Sequence, residues 1–149
     1  MRYSHCCPGN KKEATLKTTN YYNTFIEVAA DCPEEEAQAP PQKQVKTVAN
    51  LQFELLYDHP YVYTSDDILF RVHVLRNAIS KDQWEEERLR FFAKGQACMR
   101  ASPLTKRYGW GIHCDKDGKM ALIASGTTDY RTMMDNETLQ RVKAMRNKR

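Results

Sequence analysis

Apolar and polar positions alternate in some stretches of this chain and recur every three or four residues in others. Tyr108–Cys114 places Trp110, Ile112 and Cys114 on one face and Gly111 and His113 on the other. Met120, Leu122 and Ala124 share a face in the next stretch. Between them lies Asp115-Lys116-Asp117-Gly118-Lys119. An Asp-Gly pair favours a tight turn, because glycine enters positive φ without a Cβ clash. The pattern predicts a half-buried hairpin over 108–124. Gly109 and Gly111 flank Trp110. They fit either relief of crowding around the ring or close approach by a backbone or ligand.

The rest follows in chain order. Met1 to Thr19 carries Pro8, Gly9, Asn10 and several lysines without apolar periodicity, so residues 1–19 read as a disordered N-terminal extension. Thr24–Val28 reads as a strand covered on both sides, since Phe25 and Ile26 point to opposite faces. Cys32–Lys46, with its glutamate run and Pro40-Pro41, reads as a connector. Thr47 caps a predicted helix to about Tyr57, with Val48, Leu51, Leu55 and Leu56 in one stripe. Ile68–Ile79 fits a strand by alternation and a helix by its 3–4 spacing. Ser65 as N-cap, with Asp66 and Asp67 in the first turn, favours the helix.

Ser80 and Gln83 form a capping box for a helix from Lys81 to Lys94, stopped by Gly95. Cys98–Arg100 reads as a short strand. Gly126–Asp129 reads as a turn and helix start, with Tyr130, Met133 and Met134 packing beneath. A last helix follows from Asp135 or Asn136, with Leu139, Val142 and Met145 on its buried side. The expected class is α+β: a small antiparallel sheet including the 108–124 hairpin, packed against about four helices, in a single domain over residues 20–149.

Composition adds limits. The 149 residues contain 41% hydrophobic and 28% charged side chains, an ordinary globular mixture. No apolar run is long enough to span a bilayer, and no secretory h-region stands at the N-terminus. The cytoplasm is the expected compartment, with no membrane partner. The five cysteines match no zinc or CxxC spacing and read as reduced thiols. The net charge is +4. The segment 138–149 carries Arg141, Lys143, Arg146, Lys148 and Arg149 and no acid. A basic helix there would attract nucleic acid; a solvated helix end explains it equally and is favoured.

There is no phosphate-binding glycine loop, no HExxH and no GxSxG elbow. Asp66-Asp67 fits a helix N-terminus better than a cation site, and no metal or cofactor is expected. The candidate ligand-binding group is Arg100, Ser102, Lys106, Arg107, Tyr108 and Trp110, joined by Lys143 and Arg146 if the last helix packs beside the hairpin. Arginine and lysine hold carboxylate or phosphate, and tryptophan stacks on planar groups. Tyr108, His113 and Asp66 are the acid–base candidates. An exposed basic loop beside a core tryptophan and a hydrogen-bonded strand histidine would account for the same residues.

The blocks TTNYYNTFIEVAADCP, KTVANLQFELLYDHPYVYTSDDILF and ASPLTKRYGWGIHCDKDGKMAL, with the closing KAMRNKR, resemble a family of short bacterial proteins known as a domain of unknown function. The resemblance spans about Lys17 to Arg149 and implies no activity. Its members begin near Leu16, so the preceding residues are expected to be an extension or an upstream start. These blocks also hold polar residues with no evident folding duty, among them Asn50, Gln52, Asp66, Asp67, Arg100, Ser102 and His113. The expected function is a binding module for a small anionic or planar ligand. The alternatives are an enzyme and a nucleic-acid binder.

Overall fold

The computed structural model describes residues 17–148. Residues 1–16 of the expected extension lie outside them. Lys17–Thr19 do not behave as a tail: Lys17 N–H donates to the Phe92 carbonyl at 3.0 Å, and Thr19 is buried.

The main elements are β1 (Thr24–Glu27), α1 (Val48–Asp58), α2 (Ser65–Arg76), α3 (Trp84–Ala93), α4 (Pro103–Lys106), β2 (Trp110–Cys114), β3 (Met120–Ala124), α5 (Thr128–Asp135) and β4 (Gln140–Lys143). The fold is α+β. The four strands form one sheet in the order β3-β2-β1-β4. β1–β2 and β2–β3 are antiparallel, whereas β4 runs parallel to β1, so the sheet is mixed and not antiparallel throughout.

The expected C-terminal helix is that fourth strand. Leu139, Val142 and Met145 have helical spacing, but Thr138 donates through its N–H and hydroxyl to Asn136 Oδ1 and closes a local turn instead. Val142 then pairs with Ile26, and β4 covers the edge that β1 would otherwise expose. The basic helix invoked for nucleic-acid binding is therefore absent, and its cations lie on an edge strand and the tail after it.

The hairpin forms in the expected register: Trp110, Ile112 and Cys114 stand opposite Ala124, Leu122 and Met120. Together with Ile26 they meet Leu56, Ile68, Val72, Met99 and Leu104 from the helices and make the main core. The other sheet face buries Phe25 edge-to-face against Tyr130 of α5, with centroids 5.0 Å apart. The Tyr130 hydroxyl accepts the Val28 N–H at 3.0 Å. Phe25 and Ile26 are both fully buried, as a doubly covered strand requires.

Neither glycine beside Trp110 marks a ligand. Gly109 has φ +83, and a Cβ there would lie 3.1 Å from the Ala37 backbone of the connector. A Cβ on Gly111 would lie 2.6 Å from the Phe25 ring and 2.8 Å from Tyr130. Both exist for packing.

α1 starts at Thr47 as expected, with Asn50 completing a reciprocal capping box. α2 is a helix, but its cap is Thr64 rather than Ser65; Thr64 and Asp67 exchange the two cap bonds. The 81–94 helix is interrupted. Lys81–Gln83 form a 3-10 turn, and the Ser80 hydroxyl bonds Asp82, not the Gln83 backbone, so α3 begins at Trp84. Met99–Ala101 is likewise a 3-10 turn and not a strand.

Candidate functional site

The structure scatters the sequence-predicted site. Trp110 is a core residue: its Nε1–H donates to the Gln38 carbonyl at 2.9 Å, and its ring lies against Phe53 and Tyr57. Tyr108 packs on the main core, and its carbonyl accepts the Gln38 N–H. His113 projects from β2 on the face opposite Trp110, because strand neighbours alternate. Asp66 is buried and accepts three hydrogen bonds from Thr18 and Thr19. Asp67 caps α2 and pairs with Arg88 at 3.2 Å. These bonds give Asp66 and Asp67 a folding role.

The cations divide. β1 separates β4 from the hairpin, so Lys143 lies across β1 from the strand that carries Trp110 and His113. Lys143 Nζ sits 3.5 Å from Glu27, and its carbonyl accepts Arg100 Nε–H at 2.6 Å. The tail then crosses the Met99–Ala101 turn and the α4 backbone: Met145 N–H donates to the Arg100 carbonyl, and Asn147 Nδ2 donates to the Lys106 carbonyl. Arg107 and Arg146 are exposed. Arg100 thus meets the Lys143 backbone through its side chain, while Lys106 meets the tail through Asn147.

Asp31 fixes this tail. Its carboxylate accepts the backbone N–H of Asn147 and of Lys148, each at 3.0 Å, and the Asn147 side-chain amide. The Asn147 backbone bond, foremost, pulls the Asp31 pKa from 3.8 to about 2. A carboxyl with a depressed folded pKa stabilises above its unfolded value and loses that contribution as pH falls through the folded one. Asn147 and Lys148 amide protection is therefore expected to hold at pH 5 and disappear between about pH 4 and 2. Hydrogen exchange checks this; protection unchanged to pH 2 would show that Asp31 does not hold the tail.

One sequence-predicted ligand residue, Ser102, lies in a cavity of about 310 Å³ between α1, α2, α3 and the segment leading into α4. Val48, Leu69, Val72 and Phe91 supply its apolar wall. Ser102 caps α4 by accepting from Leu104 N–H, and its hydroxyl donates to Gln52 Oε1 at 2.6 Å. Gln52 is 3% exposed. Among the described residues its Nε2 has no hydrogen-bond acceptor, although Gln52 lines the cavity. Arg76, from the last turn of α2, lines the same cavity and has no ion-pair partner among the described residues.

His73, one turn before, stacks on Phe91 with centroids 4.5 Å apart. Its Nε2 lies 2.7 Å from Glu87 Oε2, and its Nδ1 lies 3.3 Å from Asn77 Nδ2. An amide nitrogen can only donate, so Nδ1 accepts and Nε2–H points to Glu87. That bond, helped by Arg90, holds the Glu87 carboxyl below its ordinary range. Cys98 lines the cavity too, with its Sγ 3.3 Å from the Tyr21 hydroxyl. Burial first, then this contact, pushes Tyr21 up to about 12, so it stays a neutral phenol.

A family model described as a family of unknown function, DUF6157, matches residues 16–149. The chain belongs to that family. No curated protein and no solved structure matches it. In this DUF6157 chain, among the described residues, no helix is long and apolar enough to cross a membrane.

Sequence reasoning named Gln52 and Ser102 in the DUF6157 chain but missed Arg76 and His73. The signal was a cation and a histidine three apart in the last turn of a helix, a pattern that helix-end electrostatics explains equally well.

Proposed function

We propose that the chain is a binding module for a small organic anion with an apolar body, taken into the cavity lined by Gln52, Arg76 and His73. The expected ligand class is kept, and its place moves from the hairpin to the helices. The observation that carries this reading is the amide nitrogen of the buried Gln52, without an acceptor among the described residues, on the wall of a cavity that Arg76, without an ion-pair partner among them, also lines. Few polar donors among apolar walls is the usual make-up of a small-molecule site. Donors on the wall favour an anionic oxygen, and Val48, Leu69 and Val72 favour an aliphatic body. We place this activity in the cytoplasm, where a thiol such as Cys98 stays reduced.

Sodium hexanoate and hexanol are the probes. Hexanoate is expected to shift the His73 and Phe91 NMR signals saturably, and hexanol to bind at least about tenfold more weakly. Arg76→Gln removes one charge-assisted contact and should weaken hexanoate about tenfold with an unchanged Tm. Equal affinity of hexanoate for the Arg76→Gln and native proteins would reject the reading.

A second reading, acid–base chemistry, is favoured by one contact. Tyr61, a non-glycine residue at φ +60, places its hydroxyl 2.7 Å from His113 Nδ1. Such backbone strain gathers at functional sites. Burial lowers the His113 pKa from 6.5, so the imidazole is a neutral base at physiological pH. Its C2–H signal should titrate below pH 6.5. A midpoint at or above that value would remove the base.

A further inference from the structure

The opposite flank of α2 carries a second cavity of about 310 Å³, lined by Tyr63, Phe70, Arg71, Trp84, Glu85 and Arg88, among others. Arg71 is central to it. Its guanidinium carbon sits 4.8 Å from the Tyr63 ring centroid and 5.5 Å from that of Trp84. Ring faces cover the flat faces of a guanidinium and leave its N–H donors pointing outward in the plane. Among the described residues Arg71 has no carboxylate partner. The other guanidinium, Arg88, pairs with Asp67 and lies over Phe70 and Phe92.

We propose that this cavity binds a flat aromatic monocarboxylate, with its ring beside Trp84 and Tyr63 and its carboxylate on the Arg71 fork. Among the described residues the charged lining consists of Arg71, Arg88, Asp67 and Glu85, two of each sign, so it sums to zero. One uncommitted cation in a neutral lining accommodates one negative charge. A phosphate carrying close to two charges would meet Glu85 and Asp67 in the lining, and a further cation, Lys81, lies outside that lining, over the Trp84 ring at 5.7 Å. Held by two rings, the guanidinium loses little freedom when it binds, and a planar fork matches a planar carboxylate. This site is independent of the Gln52–Arg76 cavity, which α2 separates from it.

The test titrates the full chain with sodium benzoate, benzyl alcohol and sodium phosphate at constant ionic strength. The readouts are the Trp84 indole and Arg71 Nε–H NMR signals. Benzoate is expected to shift both saturably, while benzyl alcohol and phosphate leave them in place. Arg71→Gln should weaken benzoate at least tenfold. Arg71→Lys keeps the charge but not the fork, and should weaken it severalfold. Arg76→Gln should leave the Trp84 response unchanged, which separates this site from the first. An equal response to benzyl alcohol, a matching response to phosphate, native affinity in Arg71→Lys, or no saturable benzoate shift would each overturn the proposal.

Discussion

Trp110→Ala is expected to lower the unfolding free energy by about 4 kcal/mol and the Tm by about 12 °C. The residue is 9% exposed, at the start of β2. Its truncation removes the ring that Phe53 meets at 5.4 Å and Tyr57 at 6.0 Å. It also removes the indole N–H that the Gln38 carbonyl accepts at 2.9 Å, the bond that ties the connector to the sheet. The glycine at 109 admits that connector so closely that neighbouring backbone has little room to close the hole. Trp110→Phe keeps most of the packing and should lose roughly half as much. Urea unfolding separates the alternatives. A shift in midpoint with an unchanged m-value is the expected result. A ligand-stacking tryptophan would instead leave the midpoint in place and cost only affinity.

The same residue shows what sequence can and cannot fix. The alternation of Trp110, Ile112 and Cys114 names a face, and the Asp117-Gly118 turn sets its register, because both signals are local. The Thr47 cap and the helix after it are local too. What covers a face is not local. Gln38 reaches the indole from the connector, and Gln52 meets Ser102 across 50 positions. The cavity at Gln52 is assembled from three helices and the segment leading into α4, none of which carries a binding motif. β4 was missed for a related reason: Val142 and its flanking Leu139 and Met145 have helical spacing, and only the open edge of β1 makes this segment a strand. The cations near the hairpin were real candidates by type, but the sheet order sends Lys143 to the far side of β1.

Asp66 makes the sharpest contrast between a chemical residue and a structural one. Asp66→Ala is expected to cost about 3 kcal/mol, or about 10 °C in Tm. The carboxylate accepts Thr19 N–H at 2.8 Å, the Thr19 hydroxyl at 2.7 Å and the Thr18 hydroxyl at 2.8 Å. It does so at the start of α2, where negative charge is favoured. Thr19 is 7% exposed, so its N–H would be left buried without an acceptor, and that loss dominates the estimate. Asp66 N–H also donates to Asn20 Oδ1 at 2.9 Å, so the two segments hold one another reciprocally. Asp66→Asn keeps one oxygen as acceptor, gives up the charge and should cost about 1 to 2 kcal/mol. Calorimetry measures both, and hydrogen exchange at Thr19 should accelerate before the rest of the fold opens. A near-native Tm for Asp66→Ala would mean that the Thr18–Thr19 strap contributes nothing, and would return Asp66 to the list of residues kept for chemistry.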